Sequence, residues 1–129
     1  MNKKQAFISF DCDHDTDLKN LLVGQCKRQN PGFKIVDMSI REDIDTNGSK
    51  NARRRIKCCD LLIVLCGEYT YRATGVSTEL NIAHEEEIPY FLLWGRRDKH
   101  CTRPLNALRT DIIYQWTWSN LKALVNGVR

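Results

Sequence analysis

Apolar residues fall along this chain in short runs separated by stretches of helical period. Ala6-Phe7-Ile8-Ser9-Phe10 is an apolar run that suits a short buried strand. It breaks into acids at Asp11, Asp13, Asp15 and Asp17. Leu18, Leu21, Leu22, Gln25 and Cys26 then recur at helical spacing and predict an amphipathic helix of roughly four turns. Asp13 or Asp15 suits its cap, and Asn30-Pro31-Gly32 stops it. Phe33 to Val36 reads as a second strand, followed by a polar loop from Met38 to Ser49 with a turn at Asn47-Gly48. Lys50 to Cys59 reads as a basic helix burying Ala52, Ile56 and Cys59. Leu61 to Cys66 is apolar throughout, as a central parallel strand covered on both faces requires. Gly67 to Gly75 reads as loop, and Val76 to Glu86 as a helix with Val76, Leu80 and Ala83 on one face. Tyr90 to Trp94 is the fourth strand, Gly95 to Pro104 a basic loop, and Asp111 to Tyr114 a weaker fifth strand. Trp118 to Val125 closes the chain as a helix with Trp118, Leu121 and Val125 facing inward.

Strands that alternate with helices of this length imply a parallel sheet with right-handed crossovers. Five strands in a small α/β domain point to a flavodoxin-like three-layer fold of strand order 2-1-3-4-5. Its ligand crevice lies at the switch point between strands one and three, where Asp11 to Asp15 and Gly67 to Gly75 meet. The 129 residues fit a single domain over 1–129, with no linker or internal repeat.

Composition narrows the function less than pattern does. A hydrophobic fraction of 42% and a charged fraction of 28% are ordinary for a globular domain. Neither a membrane-length apolar run nor a signal-peptide pattern follows Met1-Asn2-Lys3-Lys4, so a cytoplasmic, membrane-free protein is expected. A net charge of +4 permits an anionic ligand without demanding nucleic acid. The six cysteines lack zinc or CxxC spacing, and in a reducing compartment they read as small core residues. Cys12 with His14, or His100 with Cys101, is the less favoured metal-ligand alternative.

The ordered segments FISFDCDHDTDLKNLLVGQ, FKIVDMSIRE, ARRRIKCCDLLIVLCGEYT and TGVSTELNIAHEEEIPYFLLWG together resemble the TIR-like domains of the Thoeris antiphage ThsB family. The resemblance runs from Gln5 to Gly95 and weakens beyond it. It implies the flavodoxin-like fold already reached from periodicity. It also implies an enzyme that cleaves NAD at the nicotinamide–ribose bond. The product expected from the resemblance is a cyclic ADP-ribose-type signal that reaches a downstream effector. The family's catalytic glutamate, early in the helix after strand three, maps onto Glu79 within Ser77-Thr78-Glu79-Leu80. The family pattern carries a tryptophan just before it, and this chain has Val76 and Ser77 in that region. The resemblance further assigns Phe10 and Asp11 to the pocket and Asp37, Met38 and Ser39 to a loop that shields the site or joins subunits.

Each assignment has a plainer counterpart. Acids are common in first helical turns because they complement the helix dipole, which would account for Glu79 without catalysis. Phe10 stacks on a ring or fills the core; Asp11 accepts from a ribose hydroxyl or caps a helix. Asp37 and Ser39 bind substrate or sit in a solvated loop. Tyr69 and Tyr71 cover the substrate or are surface aromatics. Arg96, Arg97, Lys99 and Arg103 stand at the ligand end of the sheet and suit a pyrophosphate, though the chain has no Gly-rich phosphate loop.

The chemistry needs one carboxylate. Nicotinamide in NAD is a cationic pyridinium and leaves neutral without a proton, unlike the leaving group of an ordinary glycosidase. No metal and no cofactor are expected, NAD being the substrate, and self-association is the expected way to close the site. The rival of another class is a non-catalytic TIR-like interaction module. A phosphoacceptor receiver is excluded because Leu65-Cys66-Gly67 stands where its aspartate belongs. A haloacid-dehalogenase-type phosphatase, prompted by Asp11-Cys12-Asp13, lacks its following Thr or Val and the acids near strand four.

Overall fold

The computed structural model describes residues 4–29, 33–36 and 46–127. Five strands form one parallel sheet: β1 (Lys4–Ser9), β2 (Phe33–Val36), β3 (Leu61–Cys66), β4 (Tyr90–Trp94) and β5 (Ile113–Gln115). Their order, β2-β1-β3-β4-β5, is the flavodoxin-like order expected from the sequence. The helices are α1 (Thr16–Gln29), α2 (Thr46–Lys57), α3 (Thr74–Glu85) and α4 (Trp118–Val125), with a single 3₁₀ turn over Thr70–Arg72.

The period-2 alternation of side chains sorts the core into two layers. Ala6, Ile8, Leu61, Ile63, Leu65, Phe91 and Leu93 face α1 and α4, where Leu18, Leu22, Leu121, Leu124 and Val125 meet them. Phe7, Leu62, Val64, Cys66 and Leu92 face α2 and α3, where Ile56, Val76, Leu80, Ile82 and Ala83 meet them. Every residue of β3 is buried, which explains why its sequence has no alternation. Among the described residues no helix is long and apolar enough to cross a membrane.

Several boundaries differ from the pattern-based expectation. β1 begins at Lys4 and not Ala6, because Lys4 and Gln5 pair with Phe33 and Lys34 in β2. Phe10 lies beyond its end. α2 starts at Thr46, so Asn47 and Gly48 are helical residues and the loop expected up to Ser49 is shorter. The cost of a helical glycine, about 1 kcal/mol, is outweighed where the same helix buries Ile56 completely. α3 starts at Thr74, two residues before the expected Val76. Asp111 stands outside β5; its carboxylate accepts from the Tyr90 hydroxyl and the Leu108 backbone N–H, which commits it to the turn before the strand. Leu21, expected in the core, is 58% exposed, and Leu124 rather than Trp118 completes the buried face of α4.

The loop after β4 is tied to the start of α1. Arg96 donates to Asp15 Oδ1, to both oxygens of Asp17 and to the carbonyl of His14. Asp15 therefore serves Arg96 with its side chain and caps α1 only through its backbone carbonyl, which accepts from Leu18 and Lys19. Its carboxylate lies against Gly67, where a Cβ would collide with it; glycine is required there by close approach.

Candidate functional site

Ser9 is the last residue of β1 and alternates onto the same face as Phe7, towards α3. It is completely buried, a hydroxyl in an otherwise apolar layer. A buried hydroxyl needs a partner, and Ser9 finds one across the layer. Its Oγ donates to Glu79 Oε1 at 2.6 Å. That is a short contact, within the range of strong hydroxyl–carboxyl hydrogen bonds. Among the described residues, the hydrogen bond of the Glu79 carboxyl is this one, through Oε1.

Glu79 is held in place by the helix that carries it. Val76, Leu80 and Ala83 are fully buried against β1, β3 and β4, and Glu79 follows from their spacing on the flank nearest the end of β1. The side chain as a whole is partly exposed, while its carboxyl lies in desolvated surroundings. Burial pushes the carboxyl up to about 7 from its ordinary range, against the lowering effect of the Ser9 hydrogen bond. Because α3 starts at Thr74, Glu79 lies in the second turn, and the first turn holds no acid at all. The helix-dipole account of Glu79 fails on this point, since the dipole's effect falls off within the first turn. A desolvated carboxyl at the carboxyl end of a parallel sheet is a candidate functional group.

The other sequence-assigned residues are dispersed. Phe10 packs, partly buried, against the layer under α1 and α4, the opposite face from Ser9 and Glu79. Asp11 is buried and uses both carboxylate oxygens locally: Oδ1 accepts from the Asp13 N–H at 3.0 Å and Oδ2 meets His14 Nδ1 at 2.8 Å. That is a turn-closing arrangement of the capping kind. Asp37, Met38 and Ser39, with the expected shielding loop as far as residue 45, lie outside the described residues. Tyr69 packs against His14, with ring centroids 4.5 Å apart and the rings tilted, and the Arg72 guanidinium lies 4.6 Å from the Tyr69 ring centroid. Tyr71 is exposed, its backbone N–H donating to Thr102 Oγ1.

The basic loop expected to meet a pyrophosphate is largely committed to structure. Arg96 is taken by Asp15 and Asp17, and Arg103 donates to the carbonyls of Leu108, Arg109 and Asp111. Arg97 and Lys99 stay exposed. Two open clefts adjoin this loop. One, of about 570 Å³, lies between Leu21, Gln25, Arg97 and Trp116; the other, of about 480 Å³, between His14, Asp15, Tyr69, Arg96 and Lys99. Glu79 lines neither.

The cysteines are free; Cys59, Cys66 and Cys101 are buried, and desolvation raises each of these thiols above its ordinary range. Among the described residues no group of three His, Cys, Asp or Glu side chains is placed to hold a metal ion.

Ser9 is the site residue that pattern reading passes over. Its signal was present as the one hydroxyl inside the first apolar run, but only the packing of α3 on β1 reveals what it touches.

No curated protein matches the chain. Residues 7–99, from β1 through the loop after β4, match the family described as Thoeris protein ThsB, TIR-like domain. That span covers most of the chain and contains both Ser9 and Glu79, and the chain belongs to this TIR-like family.

Proposed function

We propose that the protein is an NAD-consuming enzyme that breaks the nicotinamide–ribose bond, with Glu79 as its catalytic carboxylate. Family membership supports a role in antiphage defence. The single observation that carries the enzymatic reading is the desolvated Glu79 carboxyl, held through Oε1 by Ser9 at the end of β1, with no partner for its second oxygen among the described residues. In this reading the C1′–N bond of the nicotinamide riboside breaks heterolytically, and its electron pair stays on the departing neutral nicotinamide. Positive charge develops on the ribose as the bond stretches. Glu79, accepting from the ribose hydroxyls through Oε2, stabilises that charge in a setting where water screens it little. Water attacking C1′ yields ADP-ribose and one proton. An atom of the same molecule attacking instead closes a cyclic ADP-ribose-type signal, suited to carry information to a downstream effector. The cyclic outcome needs water excluded, which motivates a shared site formed by self-association around the loop that begins at Asp37 and Ser39.

The test is incubation of purified protein with NAD and identification of products by mass spectrometry. Nicotinamide release that disappears in Glu79→Gln supports the assignment. Unchanged turnover by the variant removes it. A second reading, a non-catalytic interaction module, is favoured by the placement of both open clefts away from Glu79. It predicts no nicotinamide release at any protein concentration.

A further inference from the structure

We propose that Ser9 is the positioning residue of this site: its buried hydroxyl orients the Glu79 carboxyl, binds Oε1, and reserves Oε2 for the ribose hydroxyls of the substrate. The inference rests on the catalytic reading of Glu79 for its consequence, but its geometry stands alone. Ser9 is fully buried and terminates the strand, so its hydroxyl has little freedom to turn elsewhere. The 2.6 Å contact joins β1 to α3 across 70 residues of chain, and a glutamate side chain with three rotatable bonds gains one orientation from it. A carboxylate with one oxygen anchored presents the other at a defined place, as a reaction centre requires.

Among the described residues, several charged or polar groups on the elements packed nearby have other partners. Beyond the end of β1, Asp11 is bonded to His14 and the Asp13 N–H. On α2, Arg53 is paired with Glu85 and Glu86 at the far end of α3. From the loop before β5, the neutral Asn106 amide reaches α3 at the Ser77 carbonyl. His84, on α3 itself, faces the Tyr90 hydroxyl. Burial and Ser9 are the influences on the Glu79 carboxyl among the described residues. Removing the Ser9 donor therefore makes the carboxylate harder to form, and its titration moves upward.

The experiment compares wild type with Ser9→Ala and Ser9→Thr. The Glu79 carboxyl titration is followed by carbon-detected NMR, assigned with Glu79→Gln. In parallel, nicotinamide release is measured from pH 5.5 to 9.5. Ser9→Ala should raise the Glu79 midpoint by about one pH unit or more. It should lower kcat at pH 6.5 by roughly tenfold and recover part of the loss at pH 9. Ser9→Thr, which keeps the hydroxyl, should restore the wild-type midpoint. An unmoved midpoint in a folded Ser9→Ala protein overturns the proposal. So does a loss of activity equal at every pH. If wild type releases no nicotinamide, the catalytic reading fails, while the NMR midpoints still decide whether Ser9 holds Glu79.

Discussion

The buried Glu79 carboxyl should make the protein less stable than it needs to be, and replacing it should reveal by how much. Folding moves this group from the ordinary glutamate value of 4.5 to about 7. A folded-state value above the unfolded one means the native state binds the proton more tightly. Stability is then highest when the group is protonated and falls as pH rises between 4.5 and about 7. Linkage over that interval gives a penalty of about 1 kcal/mol at pH 5 and about 3 kcal/mol at pH 8.5. Glu79→Gln removes the ionisation while its amide oxygen still accepts from Ser9. Relative to wild type, the variant should gain about 2–3 kcal/mol on going from pH 5 to pH 8.5. For a chain of 129 residues, with an unfolding entropy of about 2.1 cal/mol/K per residue, that is roughly 9 °C in Tm. Urea unfolding of both proteins at the two pH values measures it, and the double difference cancels every group the two share. A difference between the two pH values below about 0.5 kcal/mol would mean that the carboxyl is solvated in the native state, and the argument from desolvation would collapse. The same substitution should abolish NAD turnover, so stability and activity move in opposite directions at one residue.

Three further outcomes are expected. Arg96→Ala leaves Asp15, 1% exposed and with Oδ2 already unpartnered, as an uncompensated buried carboxylate; unfolding at pH 8 should show a loss of about 2–4 kcal/mol. Burial already raises the Asp15 carboxyl despite Arg96, so without the arginine the loss should shrink as pH falls and the group protonates, and a loss independent of pH would refute the pairing. Activity should survive dialysis against EDTA, because a pyridinium leaves without a Lewis acid; loss restored by added magnesium or zinc would contradict the mechanism. Specific activity should rise over a hundredfold range of protein concentration spanning micromolar self-association, whereas a flat profile with monomer by light scattering would leave Glu79 acting within one chain.

The order of elements was legible in the sequence because hydrophobic period is a local property. β3 and β4 were readable to the residue, since a run such as Leu61 to Cys66 has no other stable place than between two covered faces. The strand order followed from alternation and crossover handedness, which leave few arrangements open. Glu79 was legible only through family resemblance; its own surroundings say nothing until α3 is packed. Tertiary structure decided what local pattern could not. It moved the start of α3 back to Thr74, which turned Glu79 from a first-turn acid into a second-turn one and removed the dipole explanation. It directed Asp15 away from capping by its side chain and towards Arg96, 81 positions away, and it set Phe10 on the face opposite Glu79. It brought Ser9 to Glu79 across 70 positions. Periodicity reports which face of an element is buried, not which partner waits there. Desolvation and hydrogen bonding, which set the character of Glu79, arise only when two distant segments exclude water from the same place.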